Sequence, residues 1–210
     1  MGMDIQRNVT LLALHDGSLV VHSTAPFSVA DIEEIQDLGE PKWLVDALLR
    51  HSTFAKNGAG AFPGARYLAP PGFSKESGVE TENLLEPPPE WAGQIEVISI
   101  DGAPDFGEIV LYHVASKTLV VADLIIHFPP DAGVMKGFFL RLGSVGGRHD
   151  PGMTKPFRHA IKDRHAYLGS IRKVLACDFD RIIVGHGSPI ESRAKEQLVK
   201  VLAESGFAAE

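Results

Sequence analysis

Two apolar runs in this chain each end on one side chain able to bind a metal ion or move a proton. The stretch 118–128 reads T-L-V-V-A-D-L-I-I-H-F and delivers a carboxylate, Asp123. The stretch 181–190 reads R-I-I-V-G-H-G-S-P-I and delivers an imidazole, His186, between two glycines. Short, β-branched apolar runs of this kind are the pattern of strands buried on both faces. A single polar group where such a strand ends lies at the rim of a sheet. There it can act as a ligand or as an acid or base.

The elements that would position these groups follow from periodicity and turn chemistry. Residues 8–14 and 19–23 read as a hairpin around His15-Asp16-Gly17-Ser18, because Asp-Gly between two apolar runs favours a tight turn. Ser28 is the expected N-cap of a helix over 29–38, with Asp31 and Glu33 in the first turn and Gly39 and Pro41 as stops. Strands are expected at 42–45 and 65–69. The Pro- and Glu-rich stretch 74–91 reads as a loop with a helical piece near 80–85. Further strands are expected at 95–100, 108–113, 118–124 and 182–184, and helices at 135–142, 157–176 and 194–203. The glycine-bearing stretch 143–156 reads as a surface segment. With no internal repeat and no separating linker, residues 1–210 are expected to form one domain.

Composition narrows the function classes. A formal charge of -7 argues against a nucleic-acid surface, which needs a clustered basic face. The basic residues Lys155, Arg158, Lys162, Arg164 and Arg172 read as a solvated helix face. No apolar run is long enough to cross a bilayer, so a membrane partner is not expected. The start M-G-M-D-I-Q-R-N has no apolar signal region, and a single cysteine, Cys177, fits a reducing compartment; a cytoplasmic location is the expectation. The G-S-V-G-G run at 143–147 lacks the Lys-Ser/Thr of a phosphate-binding loop. Ser23 sits in no Gly-x-Ser-x-Gly elbow. Monomer and homo-oligomer both remain open.

A strand ending in Asp123 followed by a strand ending in Gly185-His186-Gly187, behind an N-terminal hairpin, resembles the metallo-β-lactamase fold superfamily. The resemblance implies an α+β fold, a four-layer αββα sandwich. It also implies a first metal loop near 43–72, where this chain reads L-L-R-H-S-T-F-A-K-N-G and supplies His51 alone. At the superfamily's Gly-His-Thr position the chain reads Asp101-Gly102-Ala103-Pro104. His22-Ser23 after the second strand and the final His-Gly-x-Pro-Ile segment are similar to a branch of the superfamily classed as a domain of unknown function.

The implied site is reduced. Asp123, His186 and His51 would hold at most one metal, with His22 as a fourth ligand or orienting partner and Asp123 and His186 as the catalytic pair. Two imidazoles and one carboxylate suit zinc, and iron(II) less so. The expected activity is hydrolysis of a small ester, thioester or lactone by metal-activated water. Two alternatives stand beside it: a metal-free, non-catalytic member serving binding or assembly, and a non-haem iron oxidoreductase using the same residues.

Overall fold

The computed structural model describes residues 7–128 and 151–208. Among the described residues nine strands form two sheets. The first runs β1 (Thr10–Ala13), β2 (Ser18–His22), β3 (Glu40–Val45), β4 (Arg66–Ala69) and β5 (Glu82–Asn83), in that spatial order. The second runs β6 (Ile95–Ser99), β7 (Ile109–His113), β8 (Thr118–Val120) and β9 (Arg181–Ile183). β1 and β2 form the antiparallel hairpin, whereas β2 through β5 are parallel. In the second sheet β6, β7 and β8 alternate in direction and β9 lies parallel to β8.

The layers follow from the two-residue period of the strands. Val20, Trp43, Val45 and Leu68 point inward and meet Ile109, Leu111 and Val120 of the other sheet. Their neighbours Leu19, Val21 and Leu44 point outward, with Ile35, Ala55, Phe62 and Phe73 packed on them. Those residues belong to or flank helices α1 (Val29–Leu38), α2 (Ala55–Ala61) and α3 (Phe73–Ser77). On the far side Val110, Leu119 and Ile182 lie in one cluster with residues of α4 (Lys155–Ala160), α5 (Arg164–Ala176) and α6 (Ala194–Glu204). The result is the expected αββα sandwich. Each fully buried Val, Leu or Ile in these clusters contributes about 1.5–3 kcal/mol by leaving water. No described helix is long and apolar enough to cross a membrane.

Helix α1 starts as expected: the Ser28 hydroxyl accepts from the Asp31 amide, and the Asp31 carboxylate accepts from the Ser28 amide at 2.7 Å. Four expectations are corrected. The strand at 118–124 stops at Val120, because the amides of Ala122 and Asp123 donate to the Glu108 carboxyl group instead of a ladder. The helix at 157–176 is two helices. Asp163 caps α5 through the Ala166 amide, and the amides of Lys162 and Asp163 both donate to the Gly102 carbonyl. Near 80–85 the chain is extended: β5 pairs with β4, and the Leu84 amide donates to the Ala69 carbonyl, burying Leu84. The end of 143–156 is not surface, since Met153 is buried and Ile126 pairs with Gly152. The helix expected at 135–142 and the rest of 143–150 lie outside the described residues.

Candidate metal centre

Three loops at one end of the sandwich bring their polar side chains together. His51 lies in a 3-10 turn, Leu49–Phe54, beyond β3. Its amide donates to the Leu48 carbonyl, and the Leu49 amide donates to Phe106 of the opposite sheet's β6–β7 loop. Asp123 follows β8. His186 follows β9 in the Gly-His-Gly turn, and both glycines are needed for its closeness to Asp123. A Cβ on Gly185 would stand 2.5 Å from the Ala122 carbonyl oxygen. A Cβ on Gly187 would stand 1.9 Å from the His127 carbonyl oxygen, and Gly187 has a φ of +98°. Only glycine allows both the close approach and the left-handed backbone.

The resulting geometry is a nearly equilateral triangle. His51 Nε2 is 3.4 Å from Asp123 Oδ1, His186 Nε2 is 3.5 Å from the same oxygen, and the two Nε2 atoms are 3.3 Å apart. The imidazoles meet edge to face, with centroids 5.3 Å apart and an interplanar angle of 83°. Asp123 Oδ1 is buried and has no hydrogen-bond donor of good geometry among the described residues, with the two histidine Nε2 atoms at 3.4 and 3.5 Å. One ligand atom from each of the three side chains lies within 4.8 Å of the others.

Those distances fit a metal ion. A tetrahedral zinc with bonds of about 2.0–2.1 Å to nitrogen and oxygen holds neighbouring ligand atoms about 3.3–3.4 Å apart. Three candidate ligand atoms stand at that spacing, one of them a buried carboxylate oxygen without a donor among the described residues. They form one face of such a tetrahedron once both imidazoles carry their hydrogen on Nδ1 rather than sharing one between the Nε2 atoms. The donor set also matches the two-histidine, one-carboxylate class.

Structural likeness bears on the fold. No protein-family description and no curated protein matches this sequence. In three dimensions it is similar to TMB-1, studied for residues that act in substrate and inhibitor binding, at 16% identity and TM-score 0.59, over 98% of this chain and 88% of the other. It is also similar to the metallo-β-lactamase from Pontibacter korlensis, at 12% identity and TM-score 0.56, over 95% and 88% of the two chains. The DIM-1 metallo-β-lactamase gives 17% identity and TM-score 0.56, over 98% and 87%.

The chain has the metallo-β-lactamase fold.

Within this metallo-β-lactamase fold, the first loop supplies His51 and the Asp101–Pro104 turn supplies no ligand: Ala103 is buried in the apolar cluster beneath α4 and α5. His22 does not join the triangle. It is 2% exposed, and neither ring nitrogen has a hydrogen-bond partner among the described residues. Burial, aided by the charges of His51 and Arg7, drives its pKa down to about 3, so the ring is neutral at neutral pH. His113 turns to Ser116 and the Ala13 carbonyl, and His127 gives its Nδ1 hydrogen to the Ser188 carbonyl. Ser23 Oγ accepts from Arg7 Nε.

The charge on Asp123 is set by opposing effects. Burial raises its pKa, but the contact with His51 and the charges of His51, His186 and Arg7 outweigh it, and the carboxyl titrates below the usual carboxylate value. Glu108, which is absent from the sequence-level candidates, sets its position. Its Oε1 accepts from the Ala122 amide and its Oε2 from the Asp123 amide, each at 3.0 Å. Complete burial, then the Asp123 charge, raises its pKa to about 8. A Glu at the start of an apolar strand (E-I-V-L-Y) is the only sequence signal that could have marked it.

Proposed function

We propose that this protein is a metal-dependent hydrolase of the metallo-β-lactamase type with a one-metal site, acting on a small ester, thioester or lactone. The observation that supports this reading is the triangle of His51, Asp123 and His186, with edges of 3.3–3.5 Å and a buried carboxylate oxygen that lacks a donor. His51, Asp123 and His186 would hold the ion, zinc before iron, through two neutral imidazoles and one carboxylate. Such an ion supplies Lewis-acid activation of water and of a substrate carbonyl.

The chain's own residues do the rest. Asp123, ionised across neutral pH, carries the negative charge that makes the site attractive to a dication. The two imidazoles must give up their Nε2 hydrogens for both nitrogens to be donors of lone pairs. From the neutral imidazoles this needs only a shift of the hydrogen to Nδ1, whereas an imidazolium cannot bind, so metal binding is expected to weaken in acid. His22, buried and without a hydrogen-bond partner among the described residues, bonds to none of the three ligands, so an orienting role for it would run through a bound water.

The test is turnover. Ester, thioester and lactone panels would be assayed with the zinc-supplied protein and with Asp123→Ala and His186→Ala. Metal-dependent hydrolysis lost in both variants supports the reading. Absence of turnover on every panel, with the metal bound, contradicts the catalytic part of it.

A further inference from the structure

The three proposed ligands come from both sheets, so something must hold the two sheets' loops in register at this end. The segment just before β1 does so. Asn8 Nδ2 donates to the carbonyls of Val184 at 2.8 Å and Gly187 at 2.7 Å, and the Asn8 amide donates to Gly185 at 2.9 Å. These three bonds enclose the Gly-His-Gly turn, and Arg7 pairs with His186 as an isolated antiparallel bridge. Asn8 thus satisfies carbonyls that the turn itself leaves unused.

Arg7 makes the matching contacts on the other side. Its Nε donates to Ser23 Oγ at 2.6 Å, and its Nη2 donates to Asp46 Oδ1 at 2.6 Å and to the His51 carbonyl at 3.1 Å. Asp46 is fully buried and also accepts from Thr24 and from the Tyr67 hydroxyl. Ser23, a non-glycine, has a φ of +73° at this contact. A left-handed residue costs about 1–2 kcal/mol, and such strain persists where surrounding contacts fix it. Adjacent residues 7 and 8 therefore grip the backbone of His51 and the backbone around His186.

We propose that Arg7 and Asn8 are positioning residues that set the spacing of the His51 and His186 imidazoles, and with it the affinity of the site for a divalent metal. The inference rests on the metal-site reading for its affinity part only; the loop-ordering part stands on the hydrogen bonds alone. Neither residue touches the metal or a substrate in this account. Outer hydrogen-bond partners of metal ligands typically change affinity by about 10–100-fold when removed.

The experiment compares the full chain with Asn8→Ala, Asn8→Ser and Arg7→Lys. Lysine keeps the charge toward Asp46 but has no planar fork to reach Ser23 and the His51 carbonyl together. Zinc affinity is read by competition with a chromophoric chelator, and amide exchange at 185–188 and at His51 is read on metal-free protein. The expected result is a zinc affinity about 10–100-fold weaker and faster exchange confined to those loops, with interior strand amides still protected. Asn8→Ser, which retains one donor, should fold and fall between wild type and Asn8→Ala. Unchanged affinity together with unchanged loop exchange would overturn the proposal. So would a uniform loss of protection in Asn8→Ser, which would make Asn8 a general stability residue. If the wild type binds no zinc, the metal reading fails, and loop exchange alone then decides for or against the clamp.

Discussion

Removing the Glu108 carboxyl group should be one of the most damaging single changes in this protein. The group is completely buried and satisfies two backbone amides, Ala122 and Asp123, at 3.0 Å each. In Glu108→Ala both amides lose their acceptor inside the sandwich. A buried donor left unsatisfied costs about 1–3 kcal/mol. The pair therefore amounts to about 2–6 kcal/mol, before the cavity left by the side chain adds to it. Set against a total stability of about 5–15 kcal/mol, the variant should be severely weakened but should still fold in favourable cases. Glu108→Gln is the informative companion. It keeps the volume and one acceptor but points an N–H at the other amide, so it should lose roughly half as much, about 1–3 kcal/mol. Urea unfolding followed by far-ultraviolet circular dichroism measures both. The Asp123 backbone should also loosen, so zinc affinity should fall in Glu108→Gln even where the fold is retained. A loss below about 1 kcal/mol in Glu108→Ala, with unchanged zinc affinity, would refute the role assigned to this carboxyl group.

Other changes test other parts of the structure. His22→Leu removes two buried nitrogens without partners and should be neutral or stabilising at pH 7, measured as a urea midpoint. Because the folded pKa of His22, about 3, lies below its unfolded value of 6.5, the unfolded chain binds the extra proton between those values. Stability present above pH 6.5 is therefore lost as pH falls toward 3, by up to about 1.4 kcal/mol per pH unit, and His22→Leu should escape that share. Gly187→Ala should displace the His186 turn, since the new methyl meets the His127 carbonyl and the backbone is left-handed; zinc affinity and melting temperature should both drop. Asp46→Ala should cost about 3–5 kcal/mol in urea unfolding by leaving Arg7 largely buried without its counter-charge.

Much of this was readable from residue types. Asp123 and His186 stood out because each ends an apolar strand, and burial of those strands forces the polar residue to the rim. The αββα layering was carried by the family resemblance and by strand alternation, which the three apolar clusters reproduce. What was missed lies in contacts between distant residues. Glu108 acts on amides 14 and 15 positions later, and nothing local marks a side chain whose partners are backbone groups elsewhere. Arg7 and Asn8 precede the first strand without any periodic pattern, and their partners are 16 to 179 residues away. The break between α4 and α5 depends on the Gly102 carbonyl taking the amides of Lys162 and Asp163, although helical periodicity runs through it. Extended backbone at Glu82–Asn83 arises because β4 offers an open edge, against the local helical preference of Glu and Leu.

The measurement that bears most directly on the central claim is the metal content of the purified protein by elemental mass spectrometry, beside Asp123→Ala/His186→Ala. The account predicts close to one zinc per chain in the wild type, with iron as the minor occupant, and none in the double variant. Metal-free wild type after purification in zinc-supplemented buffer, or equal metal in both proteins, would contradict a site built from His51, Asp123 and His186.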